Sequence, residues 1–400
     1  MKKRYIFIIL SLFILFIYTT SIMQIKKNNY LIYGEKLKFK KLPGIEIVES
    51  KKQVQKVSQN QNYNNSKYDV MLFGNIKLKE ISVTTYPKLK VIPTGNLIGL
   101  KLYTNGVLVI GTSEIKNING NIEKPFLISG IKEGDVILEL DNKKIESSID
   151  IENITNLSKG NSLFLKYSRN NEICYTNIKP VEVENGKYKL GLWVRDSASG
   201  VGTMTFYEPE TKKFVALGHG ISDNDTDELL DVGNGEIVNS KIVNITKGMQ
   251  GVPGEIRGSI LNETAIGSVI KNSNFGVFGI LDNKVPTIAK YESGIDVELS
   301  ENIELGDATI LATTETGIVE EYNIEVTSIN LENAEDNKNF QVKITDDRLI
   351  NKTGGIVCGM SGCPVIQNNK LIGALTNVLV SDPTIGYGVF ADTLVKEMVK

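Results

Sequence analysis

This 400-residue sequence predicts a mainly β protein behind an N-terminal membrane-spanning helix, and three observations carry that prediction. From Lys187 onward, short apolar and polar alternations are broken by glycine at the bends, without sustained helical periodicity until the last few residues. From Tyr5 to about Ile25 the chain is almost wholly apolar, long enough to cross a bilayer as a helix, between Lys2-Lys3-Arg4 and Lys26-Lys27. The length itself implies two or three domains. A net charge of −2 and a pI of about 5.8 give no basic surface that would suit nucleic acid, and a 41% hydrophobic fraction suits a buried core.

The elements follow in order. Residues 1–25 read as an anchor or signal. The positive residues ahead of the apolar run keep the N-terminus in the cytoplasm and export the rest. No small-residue cleavage site follows, which favours a retained anchor. Residues 26–67 are polar and broken, with QVQKVSQNQNYNNS low in complexity, and read as a linker or stalk. Residues 68–91 form a β-rich segment. Within 92–182, Gly130-Ile131-Lys132-Glu133-Gly134-Asp135-Val136-Ile137-Leu138-Glu139-Leu140 gives G-x-x-x-G-D-x-I-x-x-L before a polar turn and a helix over Ile149 to Leu157. That pattern resembles a PDZ domain, in which a peptide adds as a strand to a sheet edge. Ile98, Gly99 and Leu100 are the expected peptide-binding loop, the glycine exposing amides to a peptide terminus. Residues 183–400 remain for a β-barrel or sandwich domain, or two packed barrels with chemistry in the cleft.

The chemistry centres on Gly359-Met360-Ser361-Gly362-Cys363-Pro364, before two apolar runs joined through Asn368-Asn369-Lys370 as a hairpin. Glycines around one serine permit a sharp turn and close substrate approach. The amides of Gly359 and Ser361 would then form an oxyanion hole beside the hydroxyl. This has the form of the nucleophile turn of a chymotrypsin-like serine peptidase. Serine needs a base, and the chain has one histidine, His219, in a strand-like run that ends between Gly218 and Gly220. An orienting acid is expected between the two: Asp346 at the end of the Phe340 to Thr345 strand, with Asp347 and Asp223 as competitors. Three cysteines, Cys174, Cys358 and Cys363, give no disulfide framework. Two of them flank Ser361 and raise a thiol nucleophile as a rival, but they read as small hydrophobes. One histidine gives no zinc-site spacing, and no metal or organic cofactor is expected.

RDSASGVGTMTFYEP, ALGHGISD, TGGIVCGMSGCPVIQ and SDPTIGYGVF, with the PDZ pattern ahead of them, resemble the stage IV sporulation protein B peptidases of endospore-forming bacteria over about 85–400. The resemblance implies a PDZ-containing, chymotrypsin-like double β-barrel serine peptidase. It implies export across the forespore membrane into the space between the two sporulation membranes. Self-cleavage and cleavage of a membrane-bound regulator would follow, leading to activation of a mother-cell sigma factor. It assigns His219 as base, Ser361 as nucleophile and Asp346 as the aspartate. Cys363 and Asn377 depart from the usual pattern, and Met360 gives no acidic partner for an N-terminal ion pair. Two other readings are a general envelope PDZ protease, whose usual order puts the PDZ last, and a non-enzymatic PDZ scaffold, which intact Ser361 and His219 oppose.

Overall fold

The computed structural model describes residues 19–20, 25, 27–32, 43–50, 64–86, 89–170, 172–223, 225–261, 264–331 and 337–399. The expected membrane span at 5–25 lies almost wholly outside the described residues. Among those described, no helix is long and apolar enough to cross a membrane.

The first unit covers residues 1–89. It holds β1 (Asn28–Ile32), β2 (Ile45–Glu49), β3 (Asn64–Leu72) and β4 (Ile76–Tyr86) in one sheet of order β1-β4-β3-β2. The β3–β4 hairpin is antiparallel and β1 lies parallel to β4. Alternation along β3 and β4 turns Val70, Ile81 and Val83 into a small buried core. The linker expected over 26–67 therefore needs correction. Two strands and the start of a third fall within it, because short runs such as Ile45-Glu46-Ile47-Val48 pair with β3 even though they are too brief to stand out.

The second unit begins at Lys90. Its opening part contains β5 (Lys90–Pro93), β6 (Leu97–Thr112), the small hairpin β7 (Ile115–Lys116) and β8 (Ile122–Glu123), and helix α1 (Pro125–Ser129). There follow β9 (Val136–Leu140), β10 (Lys143–Lys144), α2 (Ser148–Leu157), β11 (Leu163–Arg169) and β12 (Glu172–Ile178). The hairpin β13 (Val181–Glu184) and β14 (Lys187–Lys189) leads into β15 (Leu192–Tyr207). The second half of β6, β9, β11 and β12 pair in that order, and the first residues of β15 pair on the outer side of β6. Pro125 opens α1 and Gly130 closes it in the left-handed conformation, matching the usual terminal preferences. Asp135, the aspartate of the Gly-Asp turn, is wholly buried. It accepts from the Lys132 amide at 2.9 Å and from Arg169 through both carboxylate oxygens at 2.7 Å. Ser147 and Asp150 form a capping box at the start of α2, which buries Ile151 and Ile154 against Ile137, Leu140 and Leu165.

The remaining strands build two barrels. The first adds β16 (Lys213–Ala216), β17 (Val232–Thr246), β18 (Glu255–Ile260), β19 (Gly267–Ser273) and β20 (Gly276–Leu281). Its ladders close in the order β6-β15-β16-β20-β19-β17 and back to β6, with β18 paired on the far part of β17. Ile98, Leu100, Leu102, Phe214, Ile237 and Val277 fill its interior. A linking strand, β21 (Ile295–Val297), pairs with β5. The second barrel has β22 (Gly306–Glu315), β23 (Ile318–Ile329), β24 (Phe340–Ile344), helix α3 (Asp347–Thr353), β25 (Pro364–Gln367), β26 (Lys370–Val378) and β27 (Ile385–Phe390). It closes as β22-β23-β24-β27-β26-β25 and back to β22 around Ile310, Tyr322, Phe340, Val342 and Val365. Asn368 and Asn369, both at positive φ (51° and 58°), make the tight turn between β25 and β26. Helix α4 (Ala391–Val399) follows, burying Leu394, Val395 and Met398.

Both β6 and β15 serve two bodies. Leu97–Tyr103 and Ser197–Thr203 pair inside the first barrel, while Leu108–Thr112 and Leu192–Arg195 pair in the PDZ sheet. The PDZ-like part thus sits as an insertion between two neighbouring barrel strands. The boundary expected at 92 lies about a dozen residues too early, because one uninterrupted strand crosses from barrel to insertion.

Candidate active site

Two loops, one from each barrel, meet at a cleft of about 450 Å³ lined by His219, Gly220, Ser361, Gly359, Cys358 and part of β15. His219 lies just past β16. The backbone turns out of that strand through Leu217 (φ +72°) and Gly218 (φ +70°), two successive left-handed residues. For a leucine this is a strained conformation of about 1–3 kcal/mol, kept because the Leu217 amide donates to the Thr203 carbonyl at 3.0 Å. The result lifts the imidazole off the strand into the cleft.

Ser361 lies in the turn between α3 and β25. The turn is fastened to β18 by Cys358 N–H donating to Gly254 O (2.9 Å) and Ile256 N–H to Cys358 O (2.8 Å). From β15, the Thr203 amide donates to the Ser361 carbonyl at 3.2 Å and the Thr203 hydroxyl donates to the Gly359 carbonyl at 2.7 Å. Gly362 at φ +96° is obligatory: a Cβ there would stand 2.1 Å from the Thr203 carbonyl oxygen. Thr203 thus braces both loops at once. The RDSASGVGTMTFYEP stretch carried that signal, but nothing in it singled out this threonine.

The hydrogen bonds define the chemistry. His219 Nδ1 lies 2.8 Å from the Gly220 carbonyl oxygen. A carbonyl only accepts, so Nδ1 carries the proton and Nε2 is left as a free base. The Ser361 hydroxyl donates to the Thr376 carbonyl at 2.8 Å. Gly359 and Ser361 lie outside helix and strand, and neither of their amides donates to any acceptor among the described residues. These are the two amides expected to stabilise an oxyanion. Cys363 is ruled out as a rival nucleophile: it is wholly buried, and that burial pushes its thiol up to about 12. Cys358 is exposed beside the cleft.

The aspartates fall elsewhere, which corrects the expected triad. Asp346 caps α3, accepting from the Arg348 amide and Nε at 3.0 Å, from Arg348 Nη2 at 2.8 Å and from the Asn323 amide at 3.2 Å. The Arg348 guanidinium is the main reason its carboxyl is held at about 2, far below the usual range. Every oxygen of Asp346 is therefore engaged away from His219. Asp347 is exposed in the first turn of α3. Asp223 is buried under Arg195, bonds to it closely, and accepts from the Asp225 and Thr226 amides at 2.9 and 3.1 Å. The backbone carbonyl of Gly220 holds the position that sequence order suggested for a carboxylate.

The expected peptide-binding residues need the same correction. Ile98, Gly99 and Leu100 are buried near the start of β6, paired with β15 on one side and β17 on the other, so they expose no loop. The open edge of the PDZ sheet is instead Leu192–Arg195, paired only with β6 among the described residues. Helix α2 flanks it, the Ser148 amide and hydroxyl both donating to Asp196 at 2.8 Å. Leu190-Gly191-Leu192 repeats the same apolar-glycine-apolar signal and leads into that edge, with Gly191 at φ +72°.

Two barrels with a serine, a histidine and two unengaged amides at their junction are the fold and site of a serine peptidase. The family comparison agrees. The family model described as SpoIVB peptidase S55 matches residues 186–395, and the chain belongs to that family. Among curated proteins, a Clostridium perfringens (strain 13 / Type A) protein whose name places it with zinc metalloproteases is 33% identical over 63 residues, 16% of this chain and 19% of that protein. The chain therefore spans about a fifth of the length of that relative. Solved structures with similarity include the PDZ domain of an SdrC-like protein from Listeria monocytogenes (17% identity, TM-score 0.18, covering 22% of this chain and 87% of that one). Another is the active form of the Rv3671c protease from M. tuberculosis (12% identity, TM-score 0.29, covering 51% and 74%).

Proposed function

We propose that this peptidase is an exported, membrane-anchored endopeptidase of sporulation signalling that cleaves itself and a membrane-bound regulator, with sigma-factor activation in the mother cell as the outcome. The reading rests on family membership and on the resemblance of the stretches around His219 and Ser361. Its place would be the space between the two sporulation membranes, held there by residues 1–25. A peptide would dock along Leu192–Arg195 beside α2, recruiting substrate or releasing the enzyme.

The observation that carries the chemistry is the convergence of Ser361, His219 and the amides of Gly359 and Ser361 on one cleft. Rotation of the Ser361 hydroxyl from the Thr376 carbonyl toward Nε2 of His219 passes its proton to the base as Oγ attacks a peptide carbonyl. The two amides stabilise the oxyanion. His219 then protonates the leaving amine, and water activated by the same nitrogen releases the acyl group. The Gly220 carbonyl fixes the tautomer of the neutral ring and stabilises the imidazolium once it forms.

The test is fluorophosphonate labelling of the full chain, with peptide hydrolysis followed in parallel. Labelling absent from both Ser361→Ala and His219→Ala, with wild type labelled, supports the reading. N-terminal sequencing of the forms present in sporulating cells tests self-cleavage and anchor retention. Broad cleavage of unfolded proteins by wild type would favour a general envelope protease instead.

A further inference from the structure

The two catalytic loops come from different barrels, so something must fix the distance between them. Thr203 braces both loops from the β15 side. On the other side a second chain of hydrogen bonds runs through Asn337, just ahead of β24. The Thr376 hydroxyl donates to the Asn337 carbonyl at 2.7 Å, and Thr376 is the residue whose own carbonyl holds the Ser361 hydroxyl. The Asn337 side-chain Nδ2 donates to the Asn274 carbonyl. That same carbonyl accepts the Gly220 amide at 3.2 Å, and Gly220 is the residue whose carbonyl holds His219 Nδ1. One residue of the second barrel thus connects, through Asn274, to the peptide unit that orients the base, and through Thr376 to the one that holds the nucleophile. Asn337 Oδ1 is buried with no donor among the described residues. An unmet buried acceptor is a local cost of the kind that needs a reason, and such costs concentrate at functional sites.

We infer that Asn337 is a positioning residue for the Ser361–His219 pair, holding the Gly220 carbonyl in place as the acceptor for the imidazole and thereby doing the orienting work expected of an aspartate. The inference rests on the peptidase reading above. Removing the side chain frees the Asn274–Gly220 junction, and the imidazole loses its fixed acceptor.

The test uses the full chain in detergent with Asn337→Ala, Thr376→Val and the double variant. Because His219 is the only histidine, [15N]histidine labelling reports one imidazole. At about pH 9, where an ordinary histidine ring is neutral, wild type should show the Nδ1-protonated tautomer. Asn337→Ala should shift it toward the Nε2-protonated form that an unheld ring prefers. On a fluorogenic peptide kcat should fall about 10- to 100-fold with KM within about twofold, as displacement of reacting groups by about 1 Å implies. Thr376→Val, nearly isosteric, should lower kcat similarly and carries the test if Asn337→Ala does not fold. The double variant should be no worse than the more impaired single one, since both changes cut the same link. An unchanged 15N spectrum with kcat within about threefold of wild type, or losses that multiply in the double variant, would overturn the inference. Failure of wild type itself to hydrolyse peptide or react with fluorophosphonate would sink the peptidase reading, while the 15N spectrum still decides the role of Asn337.

Discussion

Replacing Asp346 by asparagine separates two roles of very different size. In the structure its carboxylate caps α3 and pairs with Arg348. An asparagine there can still accept the Arg348 amide, but its NH2 would face the Asn323 amide and the guanidinium, donor against donor. The ion pair joins a buried carboxylate to a guanidinium side chain 57% exposed, so solvent screening limits it to about 1 kcal/mol. An orphaned Asn323 amide adds about 1–3 kcal/mol. Together these give roughly 2–4 kcal/mol, or about 5–12 °C in Tm for a domain of this size. An orienting triad aspartate would instead cost about ten-thousandfold in turnover, with geometry and stability intact. We expect kcat of Asp346→Asn to stay within several-fold of wild type at a temperature where both are folded, with thermal unfolding followed by circular dichroism. The pH dependence adds a check. The folded carboxyl titrates at about 2, below its unfolded value, so its stabilisation is present above about pH 4 and disappears as pH falls toward 2. The stability gap between wild type and variant should close over that window. A kcat reduced by thousands with Tm unchanged would show that Asp346 acts on His219 after all.

Other expectations follow from the same geometry. Gly362→Ala should reduce kcat at least about 100-fold, because the new Cβ would meet the Thr203 carbonyl at 2.1 Å and push the serine turn aside; wild-type activity in a folded Gly362→Ala protein would contradict the described turn. Cys363→Ala should keep at least about a third of wild-type activity and lose about 1–2 kcal/mol to the cavity, as urea unfolding would report; an inactive, folded Cys363→Ala would revive the thiol nucleophile. Excising 92–182 should yield no folded catalytic domain, since it removes the barrel part of β6; a cooperative thermal transition in that deletion would refute the assigned ladder.

The architecture was largely legible, and for identifiable reasons. Alternation with glycine at the bends predicted strands, and G-x-x-x-G-D pointed to a PDZ-like domain, whose turn aspartate the structure buries against Arg169, although nothing in the pattern showed that the domain is inserted. Ser361 and His219 stood out because their residue types are scarce in the right contexts, one histidine being the extreme case, and the structure places both on one cleft. The orienting group was not. Sequence order supplies a carboxylate, whereas the structure uses the Gly220 carbonyl, and a backbone atom leaves no letter to read. The misplacement of Ile98-Gly99-Leu100 has a similar cause: an apolar-glycine-apolar run looks the same in a barrel strand as in a binding loop. Only pairing on both edges distinguishes it from Leu190-Gly191-Leu192.

The continuous β6 and β15 strands also govern the order in which the molecule can be built. The first barrel closes only when Leu97–Tyr103 meets Ser197–Thr203. With the insertion unfolded, that meeting means closing a loop of some ninety residues, an entropic cost of about 4 kcal/mol. A folded insertion presents its two ends side by side and removes most of that cost. Closure of the first barrel, and with it the cleft, is therefore favoured once the insertion has folded. Any ligand that binds only the folded insertion would, by mass action, raise the population of competent enzyme without approaching Ser361.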